Sequence, residues 1–198
     1  MSLLVRCRWS PSALPIEGRA QQWASLVLGP QAKKLTGQNW FRLAGSKRAA
    51  LNRPVLAEDL PNLITKLARL RDACGFLHVS VWNGENAKAS CGVSLTLNFD
   101  GEQDFTVFSL PDPTHLQAKG LAWSDVVELA RALADGLHGE AIVTSSELLQ
   151  LGLPTRTEPA FARLSPGAVT RLSCRSWEEL KSQPLQSWAE LFDDTGKR

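Results

Sequence analysis

The sequence predicts an α+β fold: a mostly antiparallel sheet containing a three-strand meander, with helices packed on one face. Three observations predict it. Between residues 76 and 110, three segments alternate apolar and polar side chains, and Asn-Gly and Asp-Gly turn signals separate them. Around them, at 17–28, 59–73 and 125–138, apolar residues recur at the spacing of an amphipathic helix. The resulting order, β-α-α-βββ-α-β, lacks the regular strand–helix alternation of a parallel sheet.

Each element has its own signal. Residues 3–9 alternate weakly and enter the sheet as a strand, which Ser10-Pro11-Ser12 breaks. Ala20, Trp23, Ala24 and Val27 form the stripe of the first helix, and Gly29-Pro30 ends it. Residues 30–45 read as irregular, with Trp40-Phe41 inside them. Ser46 caps a short helix through Leu51, and Pro54 holds the chain extended. Asp59 caps the next helix, where Leu60, Leu63, Ile64, Leu67 and Leu70 share one face. Its cations Lys66, Arg69 and Arg71 gather near the end that the macrodipole favours.

In the strands, Leu77, Val79 and Val81 face one side, and Phe76, His78, Ser80 and Trp82 the other. Val93, Leu95, Leu97 and Phe99 point inward from 90–99. Phe105 and Val107 share a face of 104–110, opposite Thr106, Phe108 and Leu110. Pro111 and Pro113 close this region, and Ser124 caps a helix with Val126, Ala130, Leu133 and Leu137 on its buried stripe. A strand follows at 140–144. The proline-containing stretch 150–168 reads as extended or loop, 168–173 as a strand, and 184–192 as an amphipathic helix with Trp188, Leu191 and Phe192.

A length of 198 residues fits one large domain, 1–198, better than two small ones. A net charge of +2 and a pI near 8.4 are too weak a bias to point to nucleic acid or an anionic membrane. They also argue against an acidic mimic of DNA. Cys7, Cys74, Cys91 and Cys174 include no CxxC pair, and the N-terminal segment is no secretory leader. The thiols therefore read as reduced, in a cytoplasmic protein. No apolar run approaches the roughly 18 residues of a membrane span.

The reactive side chains do not gather. His78, His115 and His138 are isolated from one another in sequence, and only His78 has cysteines near it, Cys74 and Cys91. There is no G-x-S-x-G elbow and no glycine-rich phosphate loop. Asp100, Glu102 and Asp104 flank a glycine as a solvated hairpin tip, a shape that also suits a contact with a basic partner. Arg42, Lys47, Arg48 and Arg53 cluster beside Trp40 and Phe41; on a near-neutral chain the plain reading is a solvated helix start. The expectation is a protein with no catalytic residues, metal or cofactor.

From Trp40 onward the chain resembles a known family. Trp40-Phe41, Gly45-Ser46-Lys47-Arg48-Ala49-Ala50-Leu51 and Arg53-Pro54-Val55 resemble a block of the immunity protein 52 family. Gly75-Phe76 leading to Val79-Ser80-Val81-Trp82-Asn83-Gly84 resembles its next strand and turn. Gly92–Leu97, Val107–Pro111 and Glu158-Pro159 resemble later segments. The matched region is roughly 40–111, with weaker agreement to about 160. The resemblance departs at the first strand, often aromatic-rich in the family, where this chain offers only Trp9.

The resemblance implies a cytoplasmic immunity protein that neutralises a cognate toxin by stoichiometric binding. The toxins linked to the family look like restriction-endonuclease-like nucleases, often delivered by type VI secretion. No active site is carried over, and no direct nucleic-acid or membrane contact is implied. The near-neutral charge adds the expectation of a shape-driven interface with a few aromatic and charged anchors. Those anchors are Trp40, Arg48, Trp82, Asp100, Glu102 and Asp104, with Trp82 equally suited to the core. Two rivals stand beside this reading. One is a secretion adaptor or effector chaperone, which binds a delivery segment without catalysis. The other is a small hydrolase using Cys91 or His78. Oligomeric state is left open.

Overall fold

The computed structural model describes residues 1–10, 14–37, 39–42, 46–52, 54–55, 59–70, 75–85, 89–99, 103–150, 159–182 and 184, with side chains through Lys66 in the 59–70 segment. Strand β1 (Leu3–Trp9) leads to helices α1 (Ile16–Val27) and α2 (Pro30–Thr36), then β2 (Trp40–Arg42), α3 (Lys47–Leu51), β3 (Pro54–Val55) and α4 (Asp59–Leu70). Strands β4 (Phe76–Trp82), β5 (Gly92–Asn98) and β6 (Asp104–Leu110) follow, then helices α5 (Pro113–Ala118) and α6 (Trp123–Leu137). The chain continues with β7 (Glu140–Ser145), α7 (Ser146–Gln150), β8 (Ala162–Ser165), β9 (Ala168–Leu172) and α8 (Trp177–Ser182).

Among the described residues the strands form one nine-stranded sheet in the order β3-β2-β4-β5-β6-β1-β7-β8-β9. Every pairing is antiparallel. The fold is α+β. Period-two alternation sends Leu3, Val5, Cys7 and Trp9 of β1, Leu77, Val79 and Val81 of β4, and Val93, Leu95 and Leu97 of β5 into the core. Helices α1, α4 and α6 supply the facing apolar stripes: Ala20, Trp23, Ala24 and Val27; Leu60 and Ile64; and Val126, Ala130, Leu133 and Leu137.

Side-chain bonds lock the helices to one another. Gln22 Nε2 donates to the Gly136 carbonyl at 2.6 Å, and Lys34 Nζ pairs with Asp125 at 2.6 Å. Gly136 permits the close approach of α1 and α6, because a Cβ there would lie 2.6 Å from a Leu26 methyl. Trp123 meets Trp177 edge-on at 5.5 Å. Both indoles donate, Trp123 to the Cys174 carbonyl at 2.9 Å and Trp177 to the Leu121 carbonyl at 2.7 Å, and this pair docks α8.

Several boundaries differ from the sequence reading. Gly29-Pro30 ends α1 but also begins α2, with Gly29 as the N-cap and Pro30 in the first turn, so 30–45 is not irregular throughout. Helix α6 starts at Trp123, one residue ahead of the expected cap Ser124. Asp125 Oδ2 accepts the Ala122 N–H at 2.8 Å and secures that end. Short helices α5, α7 and α8 were not expected; Asp112 nucleates α5 by accepting the His115 N–H at 3.0 Å. Strand β8 falls in the stretch read as extended or loop. The Asp100-Gly101 turn, Cys74, Pro154 and the 185–192 part of the expected last helix lie outside the described residues.

The Trp82-Asn83-Gly84 turn has a clear physical basis. Asn83 Nδ2 donates to the carbonyls of Thr36 (3.2 Å) and Ala89 (3.3 Å), and Oδ1 accepts the N–H groups of Cys91 (2.9 Å) and Glu85 (3.3 Å). Gly84 has φ +80, and a Cβ there would lie 2.7 Å from the Phe41 ring. Gly84→Ala combines left-handed strain with overpacking and is expected to cost about 2 kcal/mol. Urea unfolding with an unchanged slope and a lowered midpoint would register it; an unmoved midpoint would refute it.

Candidate functional site

Among the described residues, helices α1, α4 and α6 pack on one face of the sheet, and the alternate residues of each strand point to the other. Strand register aligns them in rows. One row runs Ser80, Ser94, Val107, Arg6, Ile142, Arg163 and Arg171 across β4 to β9. A second runs His78, Thr96, Phe105, Arg8 and Glu140. A third runs Phe41, Trp82, Gly92, Ser109, Leu4 and Thr144. Most of these side chains are half-buried or exposed, in contrast to the closed core side of the same strands.

The β1 end of this face is basic. Glu140 sits between two guanidiniums: Arg8 donates to Oε2 from Nε (3.1 Å) and Nη2 (2.7 Å), and Arg163 donates to Oε1 at 2.5 Å. Arg6, two residues from Arg8, points to the same side. A cavity of about 140 Å³ lies there, lined by Arg6, Arg8, Phe105, Val107, Glu140 and Ile142. Burial, and then the charge of Arg8, lowers the Arg6 pKa. Burial pushes the Glu140 carboxyl up, but the hydrogen bonds and charges of Arg163 and Arg8 outweigh it and hold the pKa below its ordinary 4.5.

A depressed carboxyl pKa stabilises the fold above the unfolded value and loses that contribution as pH falls through the folded one. Glu140→Gln is therefore expected to flatten the acid limb of stability below its ordinary pKa of 4.5. Urea unfolding on either side of that pH measures it. Parallel losses in parent and variant would count against the bridge.

The β4 end is polar and aromatic. His78 Nδ1 meets the Thr96 hydroxyl at 3.0 Å, and Nε2 meets the Ser80 hydroxyl at 2.9 Å. A depression of about 250 Å³, lined by His78, Ser80, Trp82, Gly92, Ser94, Val107 and Ser109, adjoins them. The Phe41 and Trp82 rings pack at 6.3 Å, tilted by 53°. Ser80 and His78 have the contact of a nucleophile and its base. The ring's other partner is the Thr96 hydroxyl rather than the carboxylate of a catalytic triad. Cys91 lies on the core side with its thiol directed at the Leu35 carbonyl, at 3.7 Å, away from His78. Cys7, Cys91 and Cys174 are free and buried, and burial pushes each thiol up to about 12. At neutral pH these three thiols are not nucleophiles.

The expected anchors scatter. Trp82 is half-buried on the open face, and Arg48 is exposed on α3. Trp40 is not an exposed anchor: it is 2% exposed, in the core, because alternation along β2 turns it inward. Asp104 does not belong to a solvated tip. It is 0% exposed, pairs with Arg19 at 2.8 Å, and accepts the Asn98 N–H at 2.9 Å. Asp100 and Glu102 lie outside the described residues, as do Gly45 and Arg53 of the basic cluster. Lys47 is exposed beside Arg48 on α3.

Arg6, Arg8, Glu140 and Arg163 escaped the sequence reading. Arg6 and Arg8 had a signal, two cations on alternate positions of one strand. Their relation to Glu140 and Arg163 required the pairing of distant strands. No family model matches the chain, and no curated protein matches it.

Proposed function

We propose that this chain is an immunity protein that neutralises a cognate antibacterial nuclease toxin by forming a stoichiometric complex, without catalysis of its own. The resemblance to the immunity protein 52 family motivates the reading, and one observation of the fold supports it. Helices α1, α4 and α6 pack on one side of the sheet, and among the described residues the other side carries Trp82, His78, Phe105, Arg6 and Arg8 on neighbouring rows. From β4 to β8 such a face is roughly 24 Å wide, the scale of a standard protein interface. Aromatic and arginine side chains are the residues that most often dominate binding energy.

In this reading the protein acts in the cytoplasm of the toxin-producing cell and its kin. No helix among the described residues is long and apolar enough to cross a membrane. Trp82 is an anchor on the open face. Arg48, exposed on α3, is a second, charged contact.

The test is co-expression. A nuclease toxin encoded beside this chain's gene would be induced in a susceptible bacterium with and without the protein, and the pair run on a sizing column. Survival with a stable complex is expected. Cell death despite good expression, with no complex, overturns the proposal. Binding to a delivery segment of the toxin without rescue would replace it with the adaptor reading.

A further inference from the structure

We infer that the depression over β4, β5 and β6 is a binding site for a single neutral sugar ring, seated on Gly92 between the Trp82 indole and the hydroxyls of Ser80, Ser94 and Ser109. The inference rests on the lining of the depression and not on the toxin reading.

Gly92 makes the space. It pairs with Trp82 on one side and with Ser109 on the other. Glycine weakens a strand at such a position, where it commonly marks a bulge, a bend or the close approach of another group. The register runs through Gly92 without a shift, and its φ is not positive. A Cβ there would meet nothing nearer than the Val81 carbonyl, at 3.6 Å. The backbone thus accepts a side chain, and its absence relieves no clash. What the absence leaves is room above the strand, within the depression of about 250 Å³ that Gly92 lines.

The lining selects the occupant. Among the described residues no aspartate, glutamate, lysine or arginine borders the depression, so an ionic ligand meets no opposite charge. Strands β5 and β6 pair on both sides, which commits the backbone of the floor to the sheet. The groups on offer are hydroxyls. A serine hydroxyl has one donor and two acceptor sites, the same set as a sugar hydroxyl, so the two pair in either sense. His78 Nε2 holds the Ser80 hydroxyl at 2.9 Å, and the Thr96 hydroxyl holds the other ring nitrogen at 3.0 Å. Among the described residues nothing hydrogen-bonds the hydroxyl of Ser94 or Ser109.

Trp82 supplies the apolar contact, and its ring packs on Phe41 at 6.3 Å. The electron-rich face of an indole attracts positively polarised edges, and the C–H groups of a pyranose are such an edge. His78, Ser80, Trp82, Gly92, Ser94 and Ser109 all reach solvent. The volume lies below the roughly 300–1000 Å³ of sites for larger ligands, which fits one ring better than a chain of them.

The test is a titration of the isotope-labelled full chain with the methyl glycosides of glucose, galactose and mannose and with N-acetylglucosamine. Cyclohexanol and inorganic phosphate supply an apolar ring and an anion for comparison. At least one sugar is expected to shift the amides of Gly92, Ser94 and Ser109 and the Trp82 indole N–H. So small an uncharged ligand should bind with a Kd of about 1–10 mM. Gly92→Val fills the floor with a residue that suits a strand. Its urea midpoint should equal or exceed the parent's, and its sugar affinity should fall at least about tenfold, as loss of the seat requires. Ser94→Ala adds no volume and should weaken binding by about threefold to tenfold. The inference is overturned if none of the four sugars shifts these amides, or if cyclohexanol or phosphate binds there as tightly. Variants that bind sugar as the parent does overturn it too. Rescue from a toxin, or its failure, leaves each of these results unchanged.

Discussion

Asp104→Ala is expected to lower the unfolding free energy by about 3–5 kcal/mol, read from urea denaturation. Asp104 is 0% exposed, and its partner Arg19 is also buried. Arg19 Nη1 donates to Oδ2 at 2.8 Å and lies 3.4 Å from the Asn98 carbonyl, and the Asn98 N–H donates to Oδ1 at 2.9 Å. Burial raises the Asp104 carboxyl pKa more than the Asn98 N–H and the Arg19 charge lower it. Desolvation thus outweighs the attraction within the pair, and the pair itself adds little stability. Its disruption is a different matter, because alanine strands the Arg19 guanidinium in an apolar environment. Removing both partners, as Arg19→Met with Asp104→Leu, should recover most of the loss. A double variant as unstable as the single one would show that the cost lies in packing rather than in the uncompensated charge.

The same residue marks how far the sequence could be read. Alternation along β6 placed Phe105 and Val107 on one face, which already put Asp104 with Thr106, Phe108 and Leu110 on the other. Its charge, and the neighbouring Asp100 and Glu102, suggested a solvated tip instead. The periodicity was the better guide, because a buried carboxylate is tolerated wherever a partner reaches it, and Arg19 lies 85 positions away in sequence. Long periodic segments were legible for the same reason: the stripes of α1, α4 and α6 and the alternation of β4 to β6 depend on local spacing alone.

The short helices α5, α7 and α8 span too few turns to display a stripe. Their stability comes from single caps and tertiary docking, such as Asp112 on His115 and Trp177 on Trp123. On the open face, Trp82 was visible as the end of a strand. The Arg8–Glu140–Arg163 bridge was not, because three strands far apart in sequence build it. The core position of Trp40 follows from its register opposite Val55, a two-residue strand with no periodicity of its own.

Trp23→Ala is expected to cost about 3–5 kcal/mol, again by urea unfolding. Trp23 is fully buried at the middle of α1, among the largest enclosed side chains. Its indole N–H donates to the Thr106 hydroxyl at 2.9 Å, and that hydroxyl donates onward to the Ser94 carbonyl at 2.8 Å. The chain of bonds ties α1 to two adjacent strands whose opposite sides carry Ser94, Phe105 and Val107 of the open face. Alanine leaves a cavity between the helix layer and the sheet and removes the donor as well. Trp23→Phe separates the two effects. It keeps most of the apolar volume, and Thr106 still donates to Ser94, so the loss should be well under half that of alanine. If phenylalanine costs as much as alanine, the hydrogen bond rather than the ring holds α1 on the sheet. The amides of β5 and β6 should then lose exchange protection together with those of α1.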